Sequence, residues 1–177
     1  TLFRSSCTQT VNTRFGSKLL AAGTGIVLNN EMDDFAIHVA VGNVYGLIGN
    51  EANALQPKKR PLSSMAPTIV LREGRPELVV GAAGGPRIIS ATLQTILNVL
   101  DFHMSVSSAV EAPRIHHQWI PDRLNFEAGI SPQTRKGLEE RGHTLREQSA
   151  LGVAQAIARQ GAQLSGAADS RKVDRAR

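Results

Sequence analysis

The chain has 177 residues, of which 41% are hydrophobic and 20% charged, so it is long enough for one substantial core and has a globular composition. Its formal net charge of +5 suggests a nucleic-acid partner. The basic residues are scattered among acidic ones, however, and five Phe, one Trp and one Tyr offer few rings for base stacking. No apolar run approaches the ~20 residues of a membrane span. We therefore expect neither a nucleic-acid partner nor a membrane span.

An internal disulfide and a metal site are also not expected. The single cysteine, Cys7, excludes an internal disulfide and a Cys-rich zinc site. The adjacent His116 and His117 point in different directions on a helix or strand, which favours a structural role over metal binding. We predict no metal and no other cofactor. The chain begins with Thr1, without Met or a signal-like segment, so we expect a processed product or a fragment that forms a single domain over residues 1 to 177.

The first half of the chain is predicted to contain few regular elements. Residues 8 to 12 and 25 to 28 have the pattern of short strands. Residues 36 to 62 show no sustained hydrophobic period and contain several Gly, which predicts a long loop. Residues 68 to 72 and 77 to 80 flank a turn over residues 73 to 76, which predicts a hairpin.

Helices and a second hairpin are predicted in the second half. Apolar residues spaced at three and four predict a helix from about residue 86 to 103. A second helix is expected from residue 105 or 106 to Ala112, where Pro113 stops it. Ser131 and Pro132 are a good cap and first position for a third helix, which Gly142 closes. Residues 153 to 158 and 163 to 167 predict a closing hairpin, so the element order indicates an α+β layered domain.

A glycine cluster links the first hairpin to the first helix. It reads Gly81-Ala-Ala-Gly-Gly85 and stands between the apolar run at 78 to 80 and the helix that opens at Pro86. Glycines leave backbone N–H groups uncovered, and such a junction can hold an anion or the oxyanion of an acyl-transfer intermediate. The alternative is a strand-to-helix turn that needs small residues. The order matches neither a dinucleotide fingerprint nor a phosphate loop.

Further short blocks accompany this junction, and together they resemble the small, catalytic subunit of the γ-glutamyltransferases, a family of N-terminal nucleophile hydrolases. The resemblance covers roughly residues 8 to 173. The blocks are Thr8-Gln-Thr-Val-Asn12, Phe15-Gly16-Ser17, the segment 25 to 35, Lys59-Arg-Pro-Leu-Ser-Ser-Met65, Pro67-Thr-Ile-Val70, Ala112-Pro-Arg-Ile-His-His-Gln-Trp119 and Ala168-Asp-Ser-Arg171.

The resemblance implies a four-layer αββα sandwich, of which this chain is the small-subunit part. It also implies that Thr1 is the nucleophile, because an α-amino group with a pKa near 8 can act as general base for the adjacent hydroxyl. The family opens with Thr-Thr-His or Thr-Ala-His, then a strand and a turn before the threonine-rich segment. In this chain the segment that begins at Thr8 follows Thr1 with too few residues between them for that strand and turn. Either Thr1 stands on a shortened hairpin, or the N-terminus is altered or truncated.

The remaining site residues are carried over from the same resemblance. Thr10 corresponds to the threonine that supports the nucleophile, and Gly84 and Gly85 correspond to the oxyanion hole. An acidic group suits the ammonium of a glutamyl substrate because a charge-assisted hydrogen bond is stronger than a neutral one. The residues that match substrate-binding positions are Asn12, Glu31 and Asp34 for the α-amino and α-carboxylate groups, with Ser63 and Ser64 for the carboxylate.

The resemblance implies γ-glutamyl transfer and hydrolysis on glutathione-like amides through a threonine acyl-enzyme. The expected partners are a large subunit cut from the same precursor, a small γ-glutamyl substrate and an amino-acid or peptide acceptor. A periplasmic or extracellular location is implied as well. Three alternatives stay open: a cephalosporin or glutaryl acylase, a poly-γ-glutamate transpeptidase, and a catalytically dead fragment that only binds its large subunit.

Overall fold

The structure, a computed structural model, describes residues 5–38 and 40–171, which form two compact units. Unit 1 comprises residues 5–8 and 65–171, and unit 2 comprises residues 9–38 and 40–64. Thr1, the expected nucleophile, lies outside the described residues. The assignment of residues 1 to 177 to a single domain stays a prediction.

Unit 1 contains the α-helices and β-strands of the described chain. Its elements in chain order are β1 (Thr68–Arg72), β2 (Arg75–Ala83), α1 (Arg87–Leu100), α2 (Val106–Glu111), β3 (Ile115–His116), β4 (Leu124–Glu127), α3 (Pro132–Glu139), β5 (Leu145–Gln148), β6 (Val153–Gln160) and β7 (Gln163–Ala168).

The larger sheet has the order β1-β2-β6-β7, with every neighbouring pair antiparallel. Both predicted hairpins are confirmed, and β2 continues to Ala83 to become a central strand. Because side chains alternate along a strand, Leu78, Val80 and Ala82 share one buried face. The paired strand β6 presents only alanines to this core, and small side chains let α1 and α2 approach the sheet. These alanines are Ala154, Ala156 and Ala158.

The three predicted helices are confirmed, but α1 is shorter than expected and α3 ends at Glu139, before the predicted closing residue Gly142. Ile88 and Ala91 bury one face of α1 against the sheet. Ser105 caps α2, where its Oγ accepts a hydrogen bond from the N–H of Ser108 at 3.1 Å. Ser131 caps α3 in the same way, with Thr134 as the donor at 3.0 Å. Each cap satisfies a backbone donor that the first turn of a helix leaves unpaired.

The smaller sheet was not predicted from the sequence. Its order is β3-β4-β5, in which β3 and β4 are antiparallel and β4 and β5 are parallel. These strands have only two to four residues each, too few to show an alternating pattern. Leu124 and Phe126 on β4 are nevertheless buried.

Unit 2 has little regular structure. The described residues contain two 3₁₀ helices, Glu31–Asp34 and Glu51–Asn53. The predicted strands at residues 8 to 12 and 25 to 28 are wrong, because this region forms only the isolated bridge between Leu20 and Val27 and no ladder. Asn12, with a φ of 71°, also leaves the extended region that a strand requires. The long loop predicted over residues 36 to 62 is confirmed for its described residues, which otherwise form only the second 3₁₀ helix and two isolated bridges.

Among the residues that the structure describes, no helix combines the length and the apolar character needed to cross a membrane.

Candidate active site

The turn between β2 and α1 presents two backbone donors that bind no other described residue. Gly84 has a φ of 140° and Gly85 a φ of 61°. Their carbonyls accept hydrogen bonds from Arg87 N at 3.3 Å and Ile88 N at 3.1 Å, which start the helix. Neither glycine N–H donates to another described residue. The turn therefore places two available N–H groups at the start of a 14-residue helix, an arrangement that suits an anion or a developing oxyanion.

Gly84 cannot be replaced without moving the backbone opposite it. A Cβ built on Gly84 would lie 2.9 Å from the Cα of Gly152, and its positive φ disfavours any L side chain. The glycine pattern of the sequence therefore has a steric cause here, in addition to leaving the N–H groups uncovered.

The first described residues lie against β2 just before this turn. The Ser6 hydroxyl donates to the carbonyl of Val80 at 3.0 Å. A Cβ on Gly81 would lie 3.2 Å from Thr8 Oγ1, so Gly81 makes room for this segment. The N-terminal residues of unit 1 thus run along the strand that leads into the Gly84–Gly85 turn.

In unit 2, Thr10 and Asn12 are held in one local network. The N–H of Asn12 donates to Thr10 Oγ1 at 2.8 Å, and Asn12 Nδ2 donates to the carbonyl of Asn30 at 3.2 Å. Asn30 Oδ1 in turn accepts from both the N–H and the hydroxyl of Thr13, at 3.0 and 2.9 Å. Asn30 was not among the predicted site residues, yet it fixes the orientation of Asn12.

The predicted acidic residues Glu31 and Asp34 both lie on the first 3₁₀ helix, directly after Asn30. Asp33 Oδ2 between them accepts the N–H of Val44 at 3.0 Å, so Asp33 is used structurally. The half-buried carboxylate of Asp34 accepts no hydrogen bond from another described residue. Burial, followed by the charges of Glu31 and Asp33, raises the pKa of Asp34. An ammonium group placed here would relieve this repulsion.

Tyr45 interacts both with Asn12 and with acidic residues of the first 3₁₀ helix, and the sequence analysis did not identify it as a site residue. Its hydroxyl donates to the carbonyl of Asn12. Its pKa is raised by burial and then by the charges of Asp34 and Asp33. No local motif marks this residue, because its role depends on the course of the loop.

Asn53 binds the backbone next to Ser63 and Ser64 in the way that Tyr45 binds the backbone of Asn12. Its Nδ2 donates to the carbonyl of Asp34 at 2.7 Å, and its Oδ1 accepts from the N–H of Leu62 at 2.9 Å. The residue before Ser63 is therefore tied to the backbone of Asp34. Ser63 is exposed and Ser64 is half-buried. In unit 2, hydrogen bonds thus hold Asn12, the backbone of Asp34 and the residue before Ser63, whereas Gly84 and Gly85 belong to unit 1.

His116 is buried, and both of its ring nitrogens lie within hydrogen-bond distance of a polar side chain. Its Nδ1 lies 2.8 Å from Ser90 Oγ and its Nε2 lies 3.1 Å from Gln118 Oε1. Burial is the main cause that lowers its pKa. His117 instead pairs with the exposed Asp122 at 3.0 Å. Within residues 5–38 and 40–171, no three His, Cys, Asp or Glu side chains are grouped as a metal ion requires.

Comparison with known proteins decides the family. The family described as gamma-glutamyltranspeptidase matches residues 5–177 of this chain. The chain belongs to the gamma-glutamyltranspeptidase family. It is 49% identical over 168 residues to the glutathione hydrolase proenzyme of Escherichia coli, covering 94% of this chain and 29% of that protein. The corresponding proenzyme of a Pseudomonas species is 55% identical over 138 residues, covering 77% of this chain and 24% of that protein.

The fold of a solved gamma-glutamyltranspeptidase agrees with this assignment. A mutant of the Helicobacter pylori protein superimposes with a TM-score of 0.90 at 44% identity, covering 93% of this chain and 91% of that chain. The predicted α+β fold of the N-terminal nucleophile hydrolase type is confirmed. The chain spans less than a third of the length of the two curated gamma-glutamyltranspeptidase relatives, at 29% and 24%. The roles of the individual site residues stay predictions.

Proposed function

We propose that this chain serves γ-glutamyl transfer and hydrolysis on glutathione-like γ-glutamyl amides. The observation that carries the proposal is the family match over residues 5–177. The geometry supports it, because unit 2 holds Asn12 and the backbone of Asp34 by side-chain hydrogen bonds and unit 1 has two N–H donors, at Gly84 and Gly85, that bind no other described residue.

Substrate recognition is assigned to unit 2. The carboxylate of Asp34, which accepts no hydrogen bond from another described residue, would bind the α-ammonium of the glutamyl group with the help of Glu31 and Asn12. The hydroxyls of Ser63 and Ser64 would donate to its α-carboxylate. Tyr45 and Asn53 hold these segments in place through their bonds to the backbone.

The chemistry is assigned to Thr1. Its hydroxyl would attack the γ-carbonyl carbon while its α-amino group accepts the hydroxyl proton, and Thr10 would support this nucleophile. The N–H groups of Gly84 and Gly85 would stabilise the oxyanion of the tetrahedral intermediate. The intermediate collapses to an acyl-enzyme when the amine leaves with the transferred proton. Water or an acceptor amine then attacks the ester and restores Thr1.

The proposed partner is a large subunit from the same precursor. The apolar side chains of Phe15, Leu20 and Leu62 in unit 2 are all more than 60% exposed, and such a surface is typical of an interface. The E. coli relative is named a proenzyme, which supports processing of one precursor into two chains. A periplasmic or extracellular location is part of the proposal, and cell fractionation would test it.

The test compares two chromogenic amides that differ only in the α-amino group. The protein expressed from its full-length gene is assayed with γ-glutamyl-p-nitroanilide and with glutaryl-p-nitroanilide. We expect a kcat/KM about 10- to 100-fold higher for the γ-glutamyl compound, because a charge-assisted hydrogen bond is lost without the ammonium. Equal rates, or a preference for the glutaryl compound, would favour an acylase. Binding of a large subunit without any turnover would favour a dead fragment.

A further inference from the structure

Four charged side chains of unit 1 form a buried ion cluster, which consists of Arg114, Glu127, Asp169 and Arg171. Their side chains are 2%, 7%, 0% and 11% exposed, respectively. Arg114 Nη1 lies 2.8 Å from Asp169 Oδ2, and Arg171 Nη1 lies 2.9 Å from Asp169 Oδ1. Arg171 also binds Glu127 through two bonds, of 2.7 and 2.9 Å. Two positive and two negative charges thus compensate one another.

Stability alone is a weak reason for such a cluster. The cost of removing four charges from water commonly cancels the attraction between them, and apolar side chains of similar volume would serve a core as well. Buried charges can instead fix one backbone arrangement, because each unsatisfied alternative is costly. The backbone groups that the cluster holds therefore indicate its role.

The cluster holds the short segment that leads into β6. Glu127 Oε1 accepts the N–H of Leu151 at 2.7 Å, and Asp169 Oδ2 accepts the N–H of Ala154 at 2.8 Å. Between them, the carbonyl of Gly152 accepts from Arg114 Nη1 at 3.3 Å. Three of the four members thus fix Gly152 and its neighbours on both sides.

Gly152 is the residue that packs against the proposed oxyanion turn. Its Cα would lie 2.9 Å from a Cβ on Gly84, so the two backbones are in direct contact. A Cβ on Gly152 itself would lie 3.2 Å from Ala91 Cβ and 3.3 Å from the carbonyl oxygen of Ala83. Gly152 therefore touches the strand before the turn and the helix after it.

We infer that the buried ion cluster positions the Gly84–Gly85 turn through Gly152, and so sets the direction of the two N–H groups that would hold the oxyanion. The inference rests on the proposed function. Arg114, Glu127, Asp169 and Arg171 are positioning residues, since they act on the turn only through the backbone at Gly152.

The test compares Gly152→Ala with Gly142→Ala in the protein expressed from its full-length gene. Both glycines have similar positive φ values, 85° and 90°, so both substitutions introduce the same backbone strain. Only the Cβ at position 152 meets other atoms, because nothing lies within 4 Å of a Cβ at position 142. We expect Gly152→Ala to lower kcat for γ-glutamyl-p-nitroanilide by about 10- to 100-fold with KM almost unchanged, since misplaced oxyanion donors act on the transition state.

Gly142→Ala is expected to change kcat by less than about twofold, although both variants have lower melting temperatures. Equal kcat values for the two variants would overturn the inference. A second series, Asp169→Asn and Asp169→Ala, tests the cluster directly. Asn keeps an oxygen for the N–H of Ala154, so we expect kcat to fall in the order wild type, Asn, Ala. If the Ala variant does not fold, the Asn variant and Gly152→Ala carry the test.

A readout without turnover separates this inference from the proposed function. In protein labelled with ¹⁵N-glycine, Gly152→Ala should shift the N–H resonances of Gly84 and Gly85, whereas Gly142→Ala should leave them in place. Unmoved resonances would overturn the inference. A wild-type protein that does not cleave γ-glutamyl-p-nitroanilide would contradict the proposed function, and the resonances would then decide the positioning role by themselves.

Discussion

Units 1 and 2 are stabilised by different interactions. Unit 1 has a continuous apolar core in which Leu78, Val80 and Ala154 are almost completely buried. In unit 2, Phe35 and Ala36 are the buried apolar residues of the described part. That unit is instead organised by side-chain amides that bind backbone groups. These amides belong to Asn30, Asn43 and Asn53.

The two kinds of stabilisation correspond to the two proposed tasks, which are oxyanion binding on unit 1 and substrate recognition on unit 2. Burial of a large apolar side chain contributes about 1.5–3 kcal/mol, whereas a hydrogen bond contributes about 0.5–1.5 kcal/mol net. The Gly84–Gly85 turn therefore stands on the stable unit, where N–H donors can be held in one direction. The proposed recognition residues stand on a loop that carries several exposed apolar side chains. We expect substitutions in unit 1 to act on stability and kcat, and those in unit 2 to act on KM.

Leu78→Ala should have the largest effect on stability. Leu78 is fully buried on the central strand β2, so its truncation leaves a cavity and should lower the free energy of unfolding by about 2–5 kcal/mol. Urea unfolding followed by circular dichroism would measure the loss. If Leu78→Ala lowered the free energy of unfolding no more than Asn53→Ala in unit 2 does, the proposed difference between the two units would be contradicted.

Asp34→Asn should act on substrate binding. We expect KM to rise by about 10- to 100-fold, because a charge-assisted hydrogen bond contributes about 1.5–3 kcal/mol. Its pKa is raised by burial and by Glu31 and Asp33, so the charge does not stabilise the free protein and the melting temperature should not fall. Asp122→Asn, on an exposed side chain, is the matched control. An unchanged KM for Asp34→Asn would remove this residue from the site.

Asn53→Ala should have an intermediate effect. It removes the bonds to the carbonyl of Asp34 and the N–H of Leu62 without touching a substrate group. We expect KM to rise by about 3- to 10-fold, since each lost hydrogen bond contributes about 1 kcal/mol. Steady-state kinetics with γ-glutamyl-p-nitroanilide would show it. A fall in kcat at constant KM would contradict a purely positioning role in recognition.

The smallest effect is a shift in pH dependence. The ionised form of Asp34 binds the ammonium, so KM should rise as the pH falls through a pKa that lies above the ordinary value of 3.8. Asp33→Asn removes one cause of this raised pKa and keeps an oxygen for the N–H of Val44. The acid limb of kcat/KM should therefore move to lower pH. A limb that moves to higher pH would contradict the assignment.

The sequence predicts those features that depend on local pattern. The two hairpins, the cap at Ser131 and the spacing along α1 each have a local physical cause, and the structure confirms these elements. The strands β3 to β5 escape prediction because they consist of two to four residues whose pairing is set by distant parts of the chain.

The site follows the same division. Gly84 and Gly85 stand out because both have a positive φ, and at Gly84 a Cβ would also collide with the backbone of Gly152. Tyr45, Asn53 and Gly152 carry no local signal, since their contacts join residues far apart in the sequence. Such contacts become visible only when the course of the loop and the packing of β6 are known.

The most direct test of the account is the trapping of the acyl-enzyme. The protein expressed from its full-length gene is mixed with γ-glutamyl-p-nitroanilide and quenched rapidly, and the intact mass of each chain is measured. We predict one γ-glutamyl group on this chain, which peptide mapping places on Thr1, and less of it in Gly152→Ala at the same quench time. Release of p-nitroaniline without a covalent adduct, or an adduct on another residue, would contradict the account.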